Sequence, residues 1–266
     1  MTLNELQDKL YDVLCLVDDI CKKENVRYFL DGGTEIGSVR EKDIIAWDDD
    51  IDVKVLREDY DAFKQAMIKN LPENYKYIEP EEFSPYFFDF VPRIIDVTQP
   101  IREETDEDRA YKNYQNRVGV DIFIIENAPS GKLAQKMMNL KLRMLYGMAM
   151  SKRYKVHKEK YTLSQKLVTS VCITVGKLYS QEKLFKMWHR SMEKYNGKKC
   201  EYVIIANYPL MYMGIFRYEW YVSVAEGELR GRKFPIPVGY DPELTAIYGE
   251  YMKPPKDRSI YISHFN

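Results

Sequence analysis

Residues 46–55 read AWDDDIDVKV. Four carboxylates, Asp48, Asp49, Asp50 and Asp52, interrupt a run that is otherwise apolar and β-branched. Successive side chains of a strand point to opposite faces. Ile51, Val53 and Val55 then share a face suited to a core, while Asp50, Asp52 and Lys54 share the other, with Asp48 at the strand's start. Carboxylates two positions apart on a strand lie about 6–7 Å from each other. At an effective dielectric of about 20, each such pair repels by roughly 2–3 kcal/mol. A fold whose net stability is about 5–15 kcal/mol does not carry several of these repulsions without an offset. Either the face is fully wet, as on an edge strand, or a hard divalent cation with oxygen ligands sits there. The surroundings decide.

Upstream, Thr2 and Glu5 form a capping box ahead of Leu3, Leu6, Leu10, Val13, Leu14, Val17 and Cys21 at helical spacing, so a helix is expected to about Glu24–Asn25. VRYFLDGGT follows as a short β-like run broken by Gly32-Gly33, then a short helix over 34–40 and a strand through IIAWDDDIDVKV. Residues 57–71 have acids in the first turn and Tyr60, Phe63 and Met67 on one stripe, which predicts a helix. One or two strands are expected around Pro92 in 86–97, a polar loop or lid over 103–117, and a strong strand over 118–126. Helices are expected at 131–151, 163–178, 181–195 and 242–252. The fold class is therefore α+β: a mixed sheet flanked by helices over residues 1–128, and a mostly helical companion over 129–266.

The chain has 266 residues and a net charge of −1, which argues against a general nucleic-acid binder. Its four cysteines, Cys15, Cys21, Cys172 and Cys200, are scattered and form no Cys-x-x-Cys pair, so reduced thiols in a cytoplasmic protein are expected. His157, His189 and His264 are far apart, and no zinc constellation is visible. The N-terminus lacks the pattern of a signal peptide, and no run of apolar residues is long enough to span a bilayer.

Gly32-Gly33-Thr34 lies between a strand and a short helix, where free N–H groups attract phosphate. Downstream, Val120-Asp121-Ile122 places one more acid between apolar neighbours, a costly arrangement unless the acid is paired or metal-bound. The order Gly-Gly, Asp-x-Asp on a strand and a third strand Asp resembles the nucleotidyltransferase fold. The wording LDGGTEIGSVREKDIIAWDDDIDVKVLREDYDAF, then GVDIFIIENAP, then FPIPVGYDPELTAIYGEYMKPP resembles the LicD family, over roughly 26–128 and 230–264. That family includes bacterial phosphocholine transferases and the animal proteins fukutin and fukutin-related protein. Residues 40–46 depart from its usual wording, and Arg93 stands where the family often has Lys.

The resemblance implies a transferase that moves a phospho-alcohol, such as phosphocholine or phosphoribitol, from a CDP-linked donor to a hydroxyl of a surface glycan or lipid-linked glycan precursor, lipopolysaccharide or teichoic acid among them. It implies Mg²⁺ or Mn²⁺ on Asp50, Asp52 and Asp121, with Asp121 as ligand or as general base. Asp48 would be a further ligand or would stand behind one. Gly32, Gly33 and Thr34 would cradle donor phosphates, and Arg40 and Arg93 would neutralise the transferred phosphate or form surface salt bridges. Trp47 would stack on cytosine, face a choline head group or anchor the core. Transfer of the nucleotide itself and a non-catalytic glycan- or lipid-binding role are the rival readings. SKRYKVHKEK (151–160) is a solvated loop or a basic patch against anionic lipid or a lipid-diphosphate-linked acceptor at the inner face of a membrane; the apolar run at 166–179, too short to span, lies against a membrane or in the core, and the core is expected.

Overall fold

Each element forms where pattern and cap agree. The computed structural model describes residues 1–159, 161–205 and 214–255. Helix α1 (Leu3–Glu24) starts on the Thr2–Glu5 capping box and ends at Asn25 in the left-handed region. It buries Leu6, Leu10, Val13, Leu14 and Val17. Then come β1 (Phe29–Leu30), α2 (Gly32–Arg40), β2 (Asp52–Leu56), α3 (Arg57–Asn70), β3 (Tyr75–Ile78), β4 (Arg93–Pro100), α4 (Asp106–Ala110) and β5 (Arg117–Ala128). The second half contributes α5 (Lys132–Ala149), α6 (Leu163–Gly176), α7 (Gln181–Met192), β6 (Tyr202–Ile205), β7 (Ile215–Arg217), β8 (Val224–Leu229), β9 (Arg232–Pro237) and α8 (Tyr240–Tyr248). No helix among the described residues is long and apolar enough to cross a membrane.

The fold is α+β, with one seven-stranded mixed sheet and a β8–β9 hairpin. β5 is its spine. It pairs in parallel with β2 along one edge; the other edge takes β4 antiparallel along its first half and β6 antiparallel along its second. The sheet is larger than the sequence suggested, because β6 and β7 join it from the second half. Ile51, Val53 and Val55 pack with Val120, Ile122 and Ile124 against α1 and α3, as alternation requires. The opposite face packs Phe29, Leu56, Phe123 and Ile125 on Val203, Ile205 and Tyr221. Helices α5 and α7 form a separate cluster around Phe87, Phe90, Tyr146 and Trp188.

Four local expectations change. The acidic strand is short: β2 begins at Asp52, and residues 45–48 form a turn in which the Asp48 amide donates to the Ile45 carbonyl. The Gln7 side-chain amide donates to the Ile45 and Asp48 carbonyls, which fastens that turn to α1. Residues 86–92 form no strand, since Phe87 and Phe90 are buried in the α5–α7 cluster and β4 starts only after Pro92. The polar 103–117 stretch is stitched down: Thr105 and Asp108 cap α4, and Arg102 clamps the buried Asp108. Finally, α6 turns its apolar face outward instead of into the core: Leu163, Leu167, Val168 and Val171 are exposed. Lys160, His264 and residues 256–264 of the second resembling stretch lie outside the described residues.

Candidate active site

Pairing register builds the site. Asp52 and Asp121 are direct partners across the parallel β2–β5 ladder, so their side chains leave the same face of the sheet on neighbouring strands. Val120 and Ile122 point the other way, into the core. The start of α2 comes to the same edge. The Asp52 amide donates to the Thr34 hydroxyl at 3.0 Å, and the Asp31 amide donates to the Asp52 carbonyl at 3.0 Å. Thr34 thus anchors β2 to α2 through its side chain. At Gly33 a Cβ would lie 2.3 Å from Asp48 Oδ2, so the glycine lets the Asp48 carboxylate rest against the first turn of α2. Gly32 takes a left-handed φ of 52°, which suits a residue without a side chain.

Charge is crowded here. The Asp52 carboxyl is pushed well above the usual carboxylate range, first by burial, then by Asp50, Asp121, Asp31 and Asp48. That is the repulsion expected from the sequence, gathered by turn and register more than by one strand. A hard cation offsets such a group, and an all-carboxylate donor set suits Mg²⁺ or Mn²⁺. Asp121 is already oriented: Arg93 donates to it through Nε at 2.9 Å and Nη2 at 3.2 Å, and grips Asp89 at 2.7 and 3.2 Å. Arg93 also lies over the Phe83 and Phe88 rings. Arg93, expected on the transferred phosphate or in a surface salt bridge, is buried between Asp121 and Asp89.

Two expected members stand apart or serve as packing. Arg40 ends α2, about 12 Å along the helix from Gly32, and binds Glu41 and the Tyr251 carbonyl. Trp47, partly buried, packs against the cluster of Ile36, Ile45, Leu244 and Tyr251.

The sequence reading missed a second charged group. Lys54, two residues beyond Asp52 on the same face, is fully buried. Its ammonium lies 3.1 Å from Asp31, 2.7 Å from Glu35 and 2.6 Å from Glu243. Oxygens of these three acids lie within 4.8 Å of one another, a spacing that suits a metal, but the Lys54 ammonium takes the central place. Burial pushes the Glu35 and Glu243 carboxyls up. Burial alone would lower Lys54; Glu243, Glu35 and Asp31 outweigh it and raise it. The cluster ties α8 to α2 and β2 directly beneath the acids. Lys54 carried the only local signal, a cation on the acid face; Glu243 is 189 positions away and carried none. A cavity of about 410 Å³ between α3 and α7, lined by Arg57, Glu126, Trp188 and His189, contains none of the predicted site residues.

Comparison with known proteins bears on the same region. Residues 25–139 match the family model described as LicD/FKTN/FKRP, nucleotidyltransferase domain. The chain is 26% identical over 97% of its length, and 94% of the other protein's, to a lipopolysaccharide cholinephosphotransferase LicD of Haemophilus influenzae. Over 58 residues it is 34% identical to an uncharacterised protein of Rickettsia typhi, covering 22% of this chain and 19% of that one. A second uncharacterised protein, from Rickettsia prowazekii, is 36% identical over 58 residues, 22% of each chain. Residues 25–139, which carry the Gly-Gly turn and Asp48, Asp50, Asp52 and Asp121, are thus similar to the nucleotidyltransferase domain of the LicD family.

Proposed function

We propose that the protein is a divalent-metal-dependent transferase with a nucleotidyltransferase-like core, moving phosphocholine or a similar phospho-alcohol from a CDP-linked donor to a hydroxyl of a lipopolysaccharide or related surface-glycan precursor. The observation that carries this reading is the side-by-side placement of Asp52 and Asp121 at the head of α2, with Asp48 against Gly33 and Asp50 close by. The relative along nearly the whole chain is named a cholinephosphotransferase, which supports the choice of group transferred.

Asp50, Asp52 and Asp121, with Asp48 beside them, would hold Mg²⁺ or Mn²⁺. When bound, the ion neutralises diphosphate oxygens and stabilises the leaving nucleotide. The chain's own residues do the rest. Backbone N–H groups at the start of α2 would bind donor phosphate. Arg93 fixes the Asp121 carboxylate, which either completes the ligand set or takes the proton of the acceptor hydroxyl. The acceptor oxygen bonds to the phosphorus that carries the alcohol, the bond from that phosphorus to the bridging oxygen of the diphosphate breaks, and CMP leaves.

Incubation with CDP-choline, CDP-ribitol or CDP-glycerol, Mn²⁺ and a lipopolysaccharide acceptor tests this by product analysis. CMP together with a phospho-alcohol-bearing acceptor is expected. A nucleotide-bearing acceptor would replace the reading with nucleotidyl transfer, and donor binding without any product would replace it with a binding role.

A further inference from the structure

Helices α5 and α6 carry apolar side chains that nothing among the described residues covers. On α5, Leu133, Met137, Leu140 and Met144 follow at spacings of four, three and four, one helical stripe, and all are exposed. On α6, Leu163, Leu167, Val171 and Val175 continue at spacings of four, and Leu178 extends the stripe just past the helix end. Leu163 is 86% exposed, Leu178 81% and Leu133 73%. Single exposed leucines are ordinary; aligned stripes on two packed helices are not. The helices pack closely at two glycines: a Cβ at Gly147 would lie 2.8 Å from Cys172 Cβ, and one at Gly176 would lie 2.1 Å from the Met148 carbonyl oxygen. Two small residues therefore hold the stripes next to each other.

Charge identifies the occupant. Residues 130–178 contain eleven Lys and Arg and a single carboxylate, Glu159, in a chain whose total is −1. Neither α5 nor α6 has an acid. Lys132, Lys136, Lys141, Lys155 and Lys177 are exposed around the apolar stripes. We propose that the α5–α6 hairpin docks this protein flat on a membrane of anionic lipid headgroups, with the apolar stripes in the acyl boundary and the lysines on the headgroups. A second copy of the chain fits less well, because an isologous pairing would bring two strongly cationic faces together. The surface is separate from the acid site, and the proposal holds whichever group that site transfers.

Co-sedimentation with vesicles tests it. The intact chain is expected to bind vesicles containing phosphatidylglycerol, to release from them in high salt, and to ignore vesicles of phosphatidylcholine alone. One variant combines Leu133→Gln, Met137→Gln, Leu163→Gln and Leu167→Gln; a second combines Lys132→Glu, Lys136→Glu and Lys141→Glu. All seven side chains are exposed, and circular dichroism with a melting curve verifies that each variant is folded. Each set is expected to weaken binding at least about tenfold, since each lysine near an anionic surface contributes roughly fivefold. No binding of the intact chain to the anionic vesicles, or unchanged binding by either folded variant, overturns the proposal. So does a dimer, seen by sedimentation equilibrium without vesicle binding, that the apolar variant dissociates.

Discussion

Asp52→Asn removes one charge from the most crowded group in the molecule while leaving its scaffolding intact. The strand contacts of Asp52 are made by its backbone, the amide to Thr34 and the carbonyl to the Asp31 amide, and Asn keeps both. Carboxylates on neighbouring strands about 6 Å apart repel by roughly 3 kcal/mol at an effective dielectric of about 20. Arg93 neutralises much of Asp121, whose side chain is 37% exposed, so that pair counts for only part of this. With Asp50 added, the net relief is about 1–3 kcal/mol. At about 2–4 °C per kcal/mol for a chain of this size, the metal-free variant melts roughly 2–12 °C above wild type at neutral pH. The pH dependence has a definite sign. The Asp52 carboxyl is raised by burial and then by its acidic neighbours, so its contribution to stability is full below the unfolded value and is lost as pH rises through the folded one. The advantage of the variant therefore grows with pH and vanishes in acid. Saturating Mn²⁺ reverses the order: at a hundred times its Kd a ligand adds about 2.7 kcal/mol to wild type, and the variant gains little of it. Melting curves in EDTA and in Mn²⁺ from about pH 5 to 8 measure all three effects. A variant less stable than wild type in EDTA throughout, or one keeping the full Mn²⁺ increment, refutes the reasoning.

Lys54→Met leaves Asp31, Glu35 and Glu243 buried with no cation, and a loss of about 3–5 kcal/mol in urea unfolding is expected; a loss under about 1 kcal/mol would show that the cluster rearranges freely. Gly33→Ala drives a methyl into the Asp48 carboxylate, so turnover should fall at least about tenfold, a transition-state cost near 1.4 kcal/mol. Turnover and Mn²⁺ stabilisation both equal to wild type would remove Asp48 from the site.

Much of the architecture was legible because it is local. The Thr2–Glu5 box, the helical spacing of α1 and α3 and the alternation around Asp121 each depend on side chains a few residues apart, and each appears in the structure. Asp52 and Asp121 could be singled out because an acid among β-branched residues is conspicuous in one dimension. Their pairing across β2 and β5 follows from a strand register that no local pattern encodes. Where sequence reasoning extended a strand back through residues 44–51, a long-range contact decided otherwise: Gln7 on α1 caps the turn at 45–48. The role of Arg93 and the burial of Lys54 were equally out of reach, since each depends on carboxylates brought in from distant segments. Composition told that 151–160 is basic, but periodicity is the same for an apolar stripe facing a core and one facing outward. Only the packing of α5 on α6 and α7 assigned that face, because burial is a property of neighbours and not of sequence.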